Sequence, residues 1–84
     1  MESSEKNVPV AEFRINGVKA VVWKNDTRNG AMFNTKLVRV YKDKDDEWQE
    51  TTSLGRDDLL IAAKALDEAH SFILAEEREA RSAQ

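Results

Sequence analysis

The spacing of apolar residues changes period once along this chain, and that change constrains the fold more than any other feature. Between Ala11 and Leu54, four segments place apolar residues at every second position, which is typical of strands with one buried face. From Leu59 onward the spacing becomes three and four, as in an amphipathic helix. The order predicts an α+β fold, a four-stranded antiparallel sheet (meander) followed by one C-terminal amphipathic helix.

Turn signals divide the first part of the chain into strands. Asn16-Gly17 is a strong hairpin signal because both residues tolerate a positive φ. Asn25 to Gly30 has the composition of a loop, and the charged run 43–46 has that of a turn. The predicted strands are residues 11–15, 18–24, 32–42 and 48–54.

The helix is predicted to begin near Arg56, where Asp57 and Asp58 complement the positive end of the helix dipole. The predicted buried stripe consists of Leu59, Ala62, Ala63, Leu66, Ala69 and Ile73. Further apolar residues, Leu60, Ile61, Phe72 and Leu74, widen the stripe beyond the need of one small sheet. This surplus favours a homodimer that pairs through helix 56–74.

Length and composition set the domain organisation. Eighty-four residues without cysteine form one thin-cored domain, and such domains often gain burial by oligomerising. We expect a flexible N-terminal tail over 1–9, one domain over 10–74, and a polar helix extension or tail over 75–84. No apolar run is long enough to span a membrane, and the polar N-terminus does not have the pattern of a signal peptide. The expected location is the cytoplasm, because a chain without cysteine fits a reducing compartment.

Catalytic and metal-binding patterns are weak. His70 is the single histidine, lies on or beside the apolar stripe, and is interpreted as a packed or interface residue. Asp43, Asp45 and Glu47 begin like a calcium loop, but Trp48 and Leu54 stand where such a loop needs Gly and Glu. Asp57 and Asp58 are adjacent, so their side chains diverge on a helix. The sequence predicts no enzyme, no cofactor and no metal.

Charge is unevenly distributed along the chain. The whole sequence has a formal charge of −3, which by itself argues against a general nucleic-acid binder. Residues 10–44, however, contain eight Lys and Arg against three Asp and Glu, a net charge of +5. Residues 45–84 contain four against eleven, a net charge of −7. The first three strands therefore form a basic region.

Aromatic residues alternate with the basic residues of these strands, the combination that single-stranded nucleic acids need for phosphate contact and base stacking. The candidate binding residues are Lys19, Trp23, Lys24, Lys36, Arg39, Tyr41 and Lys42. Strand aromatics are more often core residues, and Trp23 and Trp48 are equally compatible with a small core. The predicted function is binding of single-stranded nucleic acid, DNA before RNA. The alternative is a non-catalytic adaptor that docks another protein through the helix or a sheet edge.

The run Gly17-Val18-Lys19-Ala20-Val21-Val22-Trp23-Lys24 is similar to a second-strand segment of the transcriptional coactivator positive cofactor four, a member of the Whirly-like family. The resemblance covers residues 11–74 in element order and this run in sequence. It implies helix-mediated dimers whose curved sheets bind single-stranded DNA, with Lys19, Trp23 and Lys24 on or near the DNA face. The acidic total and the Asp-Asp helix start depart from the family. Residues 41–48 and 52–59 also resemble small uncharacterised bacterial proteins, which implies no activity.

Overall fold

A computed structural model describes residues 8–82 and confirms the predicted α+β class. Four strands form one antiparallel sheet in the order β1-β2-β3-β4, and a single helical segment follows them. The strands are β1 (Pro9–Ile15), β2 (Val18–Thr27), β3 (Gly30–Lys42) and β4 (Trp48–Thr51). A 3-10 turn (Arg56–Asp58) leads into helix α1 (Leu59–Ser82). The predicted tail over 1–9 lies outside the described residues up to residue 7, and β1 begins at Pro9.

The first hairpin turns at Asn16-Gly17, as the sequence predicts. Asn16 takes the positive φ of 55°. Gly17 makes a close approach, because a Cβ there would lie 3.2 Å from the Val40 carbonyl oxygen, tighter than ordinary van der Waals contact. The Gly17 carbonyl accepts a hydrogen bond of 2.8 Å from the Val40 N–H. The small residue thus lets β3 approach the end of the hairpin.

The predicted loop over 25–30 is wrong in extent. Strands β2 and β3 stay paired as far as Thr27 and Gly30, which leaves Arg28 and Asn29 as a two-residue turn. The Thr27 hydroxyl donates to the Gly30 carbonyl at 2.6 Å and accepts from the Asn29 N–H at 3.1 Å. Gly30, with φ of 115°, supplies the conformation that closes the turn. The polar composition of residues 25–27 indicated a loop, but these residues belong to β2 because they remain paired with β3.

Helix α1 covers one face of the sheet over β1 and β2. Its buried residues Ala62, Ala65 and Ala69 pack on Ala20 and Val22 of β2. Small side chains on both elements let the helix lie close to the strands. Larger residues close the margins of this core, and the rings of Phe13 and Phe72 lie 5.9 Å apart.

The predicted buried stripe on the helix is partly wrong. Leu59, Ala63 and Leu66 are exposed, whereas Ala65 is buried and Phe72 is half-buried. The helix is turned so that its alanines, rather than its leucines, contact the sheet. Close packing on β2 selects the side with the smallest residues, although the leucine side is more hydrophobic. The helix also continues through the polar segment after Leu74 to Ser82.

Candidate nucleic-acid interface

Strand register decides which side chains share a sheet face. Trp23 pairs with Asn34 and Lys19 with Val38, so odd positions of β2 lie beside even positions of β3. Arg14 pairs with Lys19, and Trp48 with Lys42. We call the face opposite helix α1 the open face. Its charged and aromatic residues are Glu12, Arg14, Lys19, Trp23, Lys36, Lys42, Trp48 and Glu50.

The open face carries four cations and two carboxylates among the described strand residues, a net charge of +2. Beneath them Val21 and Val38 are buried, although no helix covers this side within residues 8–82. The long side chains of their neighbours cover the two valines. The face therefore has an apolar floor and a predominantly cationic rim.

Two shallow clefts cross this face, each with one tryptophan. The first has a volume of about 370 Å³ and is bordered by Arg14, Val40 and Trp48. The second, of about 200 Å³, is bordered by Trp23, Lys36 and Val38. Lys19 and Glu50 border both clefts, and Lys19 Nζ lies 3.2 Å from Glu50 Oε2. This ion pair separates the two tryptophan clefts.

Trp48 is the more open of the two tryptophans, with 65% of its surface exposed. Lys42 Nζ lies 5.3 Å from the centre of its ring, within range of a cation–π contact. Trp23 is partly exposed. Neither tryptophan belongs to the core, so the structure excludes the alternative in which the pair forms it.

The turn between β3 and β4 holds Trp48 in place. One Asp43 carboxylate oxygen accepts hydrogen bonds from the N–H groups of Asp45 (2.8 Å) and Glu47 (3.0 Å), and the other accepts from Gln49 Nε2 at 2.9 Å. The bond from the Glu47 N–H, followed by that from Gln49, lowers the pKa of Asp43 below its ordinary value of 3.8. This acidic turn fixes the register that places Trp48 beside Lys42.

The seven predicted binding residues do not share one face. Lys19, Trp23, Lys36 and Lys42 lie on the open face. Lys24, Arg39 and Tyr41 lie on the face that carries the helix, because their strand positions alternate with the first set. The structure therefore brings four of the seven together.

Arg39 is engaged in the fold. Its Nε donates to the Ser53 carbonyl at 3.1 Å and lies 3.4 Å from Asp58 Oδ2, and its guanidinium lies 5.6 Å from the centre of the Tyr41 ring. The same Asp58 oxygen accepts a hydrogen bond of 3.0 Å from the Gly55 N–H. Arg39 thus ties the start of the helix to β3, a role that its charge alone did not indicate.

Sequence reasoning missed Arg14, Trp48 and Glu50 as site residues. Arg14 could have been predicted from the sequence, because a two-residue turn at Asn16-Gly17 pairs residue 14 with residue 19. Trp48 and Glu50 could not have been predicted, because the sheet face on which they lie depends on the hydrogen bonds inside the turn over 43–47.

Comparisons with protein-family models, with curated proteins and with solved structures find no match to this chain. Among residues 8–82, no three His, Asp or Glu side chains converge as metal ligands. No helix in the described part of the chain is long and apolar enough to cross a membrane.

Proposed function

We propose that the open face binds single-stranded nucleic acid, DNA before RNA, without catalysis. The observation that carries this proposal is the arrangement of two tryptophan clefts among four cations on one uncovered sheet face. Cations beside exposed rings match a flexible polyanion whose bases are free to stack. The resemblance of residues 17–24 to a second-strand segment of the Whirly-like family implies the same binding for Lys19 and Trp23, which lie on the open face.

Each tryptophan offers a ring to one base, and the cations contact phosphates. Trp48 has the larger exposed surface, and Trp23 borders the cleft of smaller volume. Arg14 and Lys42 lie near the first ring and Lys36 near the second. Lys24, Arg39 and Tyr41 are left out of this interface because they lie on the opposite face.

Titration of a labelled oligothymidine tests the proposal. At about 20 mM salt we expect a Kd in the micromolar range or tighter, and steep weakening once salt exceeds about 0.1 M. Fluorescence anisotropy measures both quantities. Absence of binding at that salt concentration would refute the proposed function.

We further propose that the protein is a homodimer that pairs through the helix. Leu59, Leu66 and Leu74 are exposed and lie in one row along α1, roughly a third of a turn from the buried alanines. Leu60, beside this row, is 84% exposed. In an antiparallel pair Leu59 would meet Leu74 of the second copy, and Arg56 would lie near its Glu77, so apolar and charged groups match together.

Sedimentation at high protein concentration tests the pairing, and a strict monomer would refute it. The same leucines favour the adaptor alternative, in which the helix docks a different protein. A monomer that binds no oligonucleotide would be the result expected of that adaptor. The lack of cysteine supports a cytoplasmic location for either activity.

A further inference from the structure

Glu50 is an anion in the middle of the surface that we propose binds a polyanion. It borders both tryptophan clefts and a third cleft of about 370 Å³ next to Lys36 and Thr52. Its side chain is 49% exposed. A carboxylate in this place repels phosphates, and its ion pair with Lys19 offsets that repulsion in part.

The carboxylate retains hydrogen-bonding capacity. Lys19 approaches one oxygen, Oε2, and no hydrogen bond to the other oxygen is present within the described residues. An ionised carboxylate accepts about four hydrogen bonds in all, so acceptor positions remain free. A base stacked on either tryptophan would occupy a cleft that Glu50 also borders.

The four bases differ in what they offer a carboxylate. Guanine presents two adjacent donors, N1–H and the N2 amino group, which match the two oxygens of one carboxylate. Thymine and uracil present a single N–H between two carbonyl oxygens, and these partly negative oxygens are repelled by a carboxylate. Adenine and cytosine each place an amino group beside a ring nitrogen lone pair. Single strands leave these edges free for contact.

We propose that Glu50 gives the open face a preference for guanine, by accepting hydrogen bonds from the N1–H and N2 amino groups of a base stacked in a tryptophan cleft. This inference rests on the proposed single-strand binding and adds its base specificity. Lys19 holds the carboxylate in position between the clefts and contacts the adjoining phosphate.

The test compares oligonucleotides of equal length. One is all thymidine, the second has isolated deoxyguanosines within thymidine, and the third has deoxyinosine, which lacks the N2 amino group, at the same positions. Isolated guanines avoid four-stranded structures. Because Glu50 is half-exposed, we expect the lower part of the range for a two-bond base contact, about five- to tenfold tighter binding of the guanine oligonucleotide. Inosine should lose most of that gain.

The variant Glu50→Gln removes the paired acceptor and one negative charge. We expect it to bind oligothymidine at least as tightly as the unmodified protein and to lose the guanine preference. Asp26→Asn is the matched control, because it makes the same charge change at an exposed strand position that borders none of the three clefts. It should keep the preference. Circular dichroism checks that both variants fold.

The outcomes separate this inference from the proposed function. Equal affinity for the thymidine and guanine oligonucleotides would overturn the role of Glu50 and leave single-strand binding standing. A preference that survives Glu50→Gln would do the same. Binding of none of the oligonucleotides at about 20 mM salt would overturn both proposals.

Discussion

Two lysines on opposite sheet faces provide a direct test of which face binds. Lys36 of β3 lies on the open face and borders the Trp23 cleft, whereas Lys24 of β2 lies on the face that carries the helix. Both are exposed and both lie in strands. Lys36→Ala and Lys24→Ala therefore remove the same charge from the same kind of position and differ in the face that loses it.

The expected magnitude follows from counterion release. Each phosphate contact with a single strand contributes a slope of about −0.7 to log K against log salt, so four open-face cations give at most about −2.8. Lys36→Ala should reduce this to about −2.1 and weaken binding about fivefold at 100 mM salt. A threefold rise in salt would then lower affinity about tenfold, instead of about twentyfold for the unmodified protein.

Anisotropy titrations with oligothymidine at four or five salt concentrations measure both slopes. Lys24→Ala should leave the slope and the affinity unchanged. A slope that falls equally for both variants would show that the phosphates do not distinguish the two faces. A slope that falls for Lys24→Ala alone would place the nucleic acid on the sheet face that carries the helix. Either of these two results would refute the proposed interface.

Three further predictions concern stacking, the acidic turn and the core. Trp48→Ala should weaken oligonucleotide binding by about 1–3 kcal/mol in the same titration, while Tyr41→Ala, on the other face, should leave it unchanged. Hydrogen bonding lowers the pKa of Asp43 in the folded state. The contribution of Asp43 to the free energy of unfolding is therefore complete above pH 3.8 and is lost as pH falls through the lowered pKa. Asp43→Asn should flatten this part of an acid unfolding titration that is followed by tryptophan fluorescence. Val22 is fully buried, so Val22→Ala should lower the free energy of unfolding in urea by about 2 kcal/mol, against little change for the exposed Val10→Ala.

Element order could be predicted from sequence because it depends on local signals. Alternation predicted the strands, and Asn16-Gly17 placed the first hairpin at the residues where it occurs. The loop of the second hairpin was predicted too long, because Asn25 and Asp26 have loop composition and only their pairing with Met32 and Ala31 makes them strand. That pairing is a tertiary interaction, which composition does not report.

The helix orientation illustrates a second limit. Hydrophobicity alone ranks Leu59 and Leu66 above Ala65, and the sequence prediction followed that ranking. The fold requires small residues where the helix approaches β2, so Ala65 is buried and the leucines are exposed. The helix sequence has an alanine side and a leucine side that could each pack on the sheet, and the close approach to β2 selects the alanine side.

The sequence could predict which residues of one strand share a sheet face, but not which residues of different strands share one. Alternation within one strand places Lys19 and Trp23 on one face, and likewise Arg39 and Tyr41, as the structure has them. Whether the two groups share a face depends on whether the turn between β2 and β3 contains an even or an odd number of residues. The two-residue turn at Arg28-Asn29 pairs odd positions with even ones and so separates the groups.

The same geometry shows how an acidic chain can present a basic face. Residues 56–82, on the far side of the sheet from the open face, carry a net charge of −3. A helix packed on a sheet lies about 10 Å from it, close to the Debye length at 0.1 M salt, so this charge is screened from the open face at physiological ionic strength. At about 0.01 M the Debye length is about 30 Å, and the acidic helix then repels the same polyanion that the open face attracts. The salt dependence of binding should therefore be linear above about 0.1 M and flatten below it. A plot that stays linear to the lowest salt would show that the helix charge does not reach the bound strand.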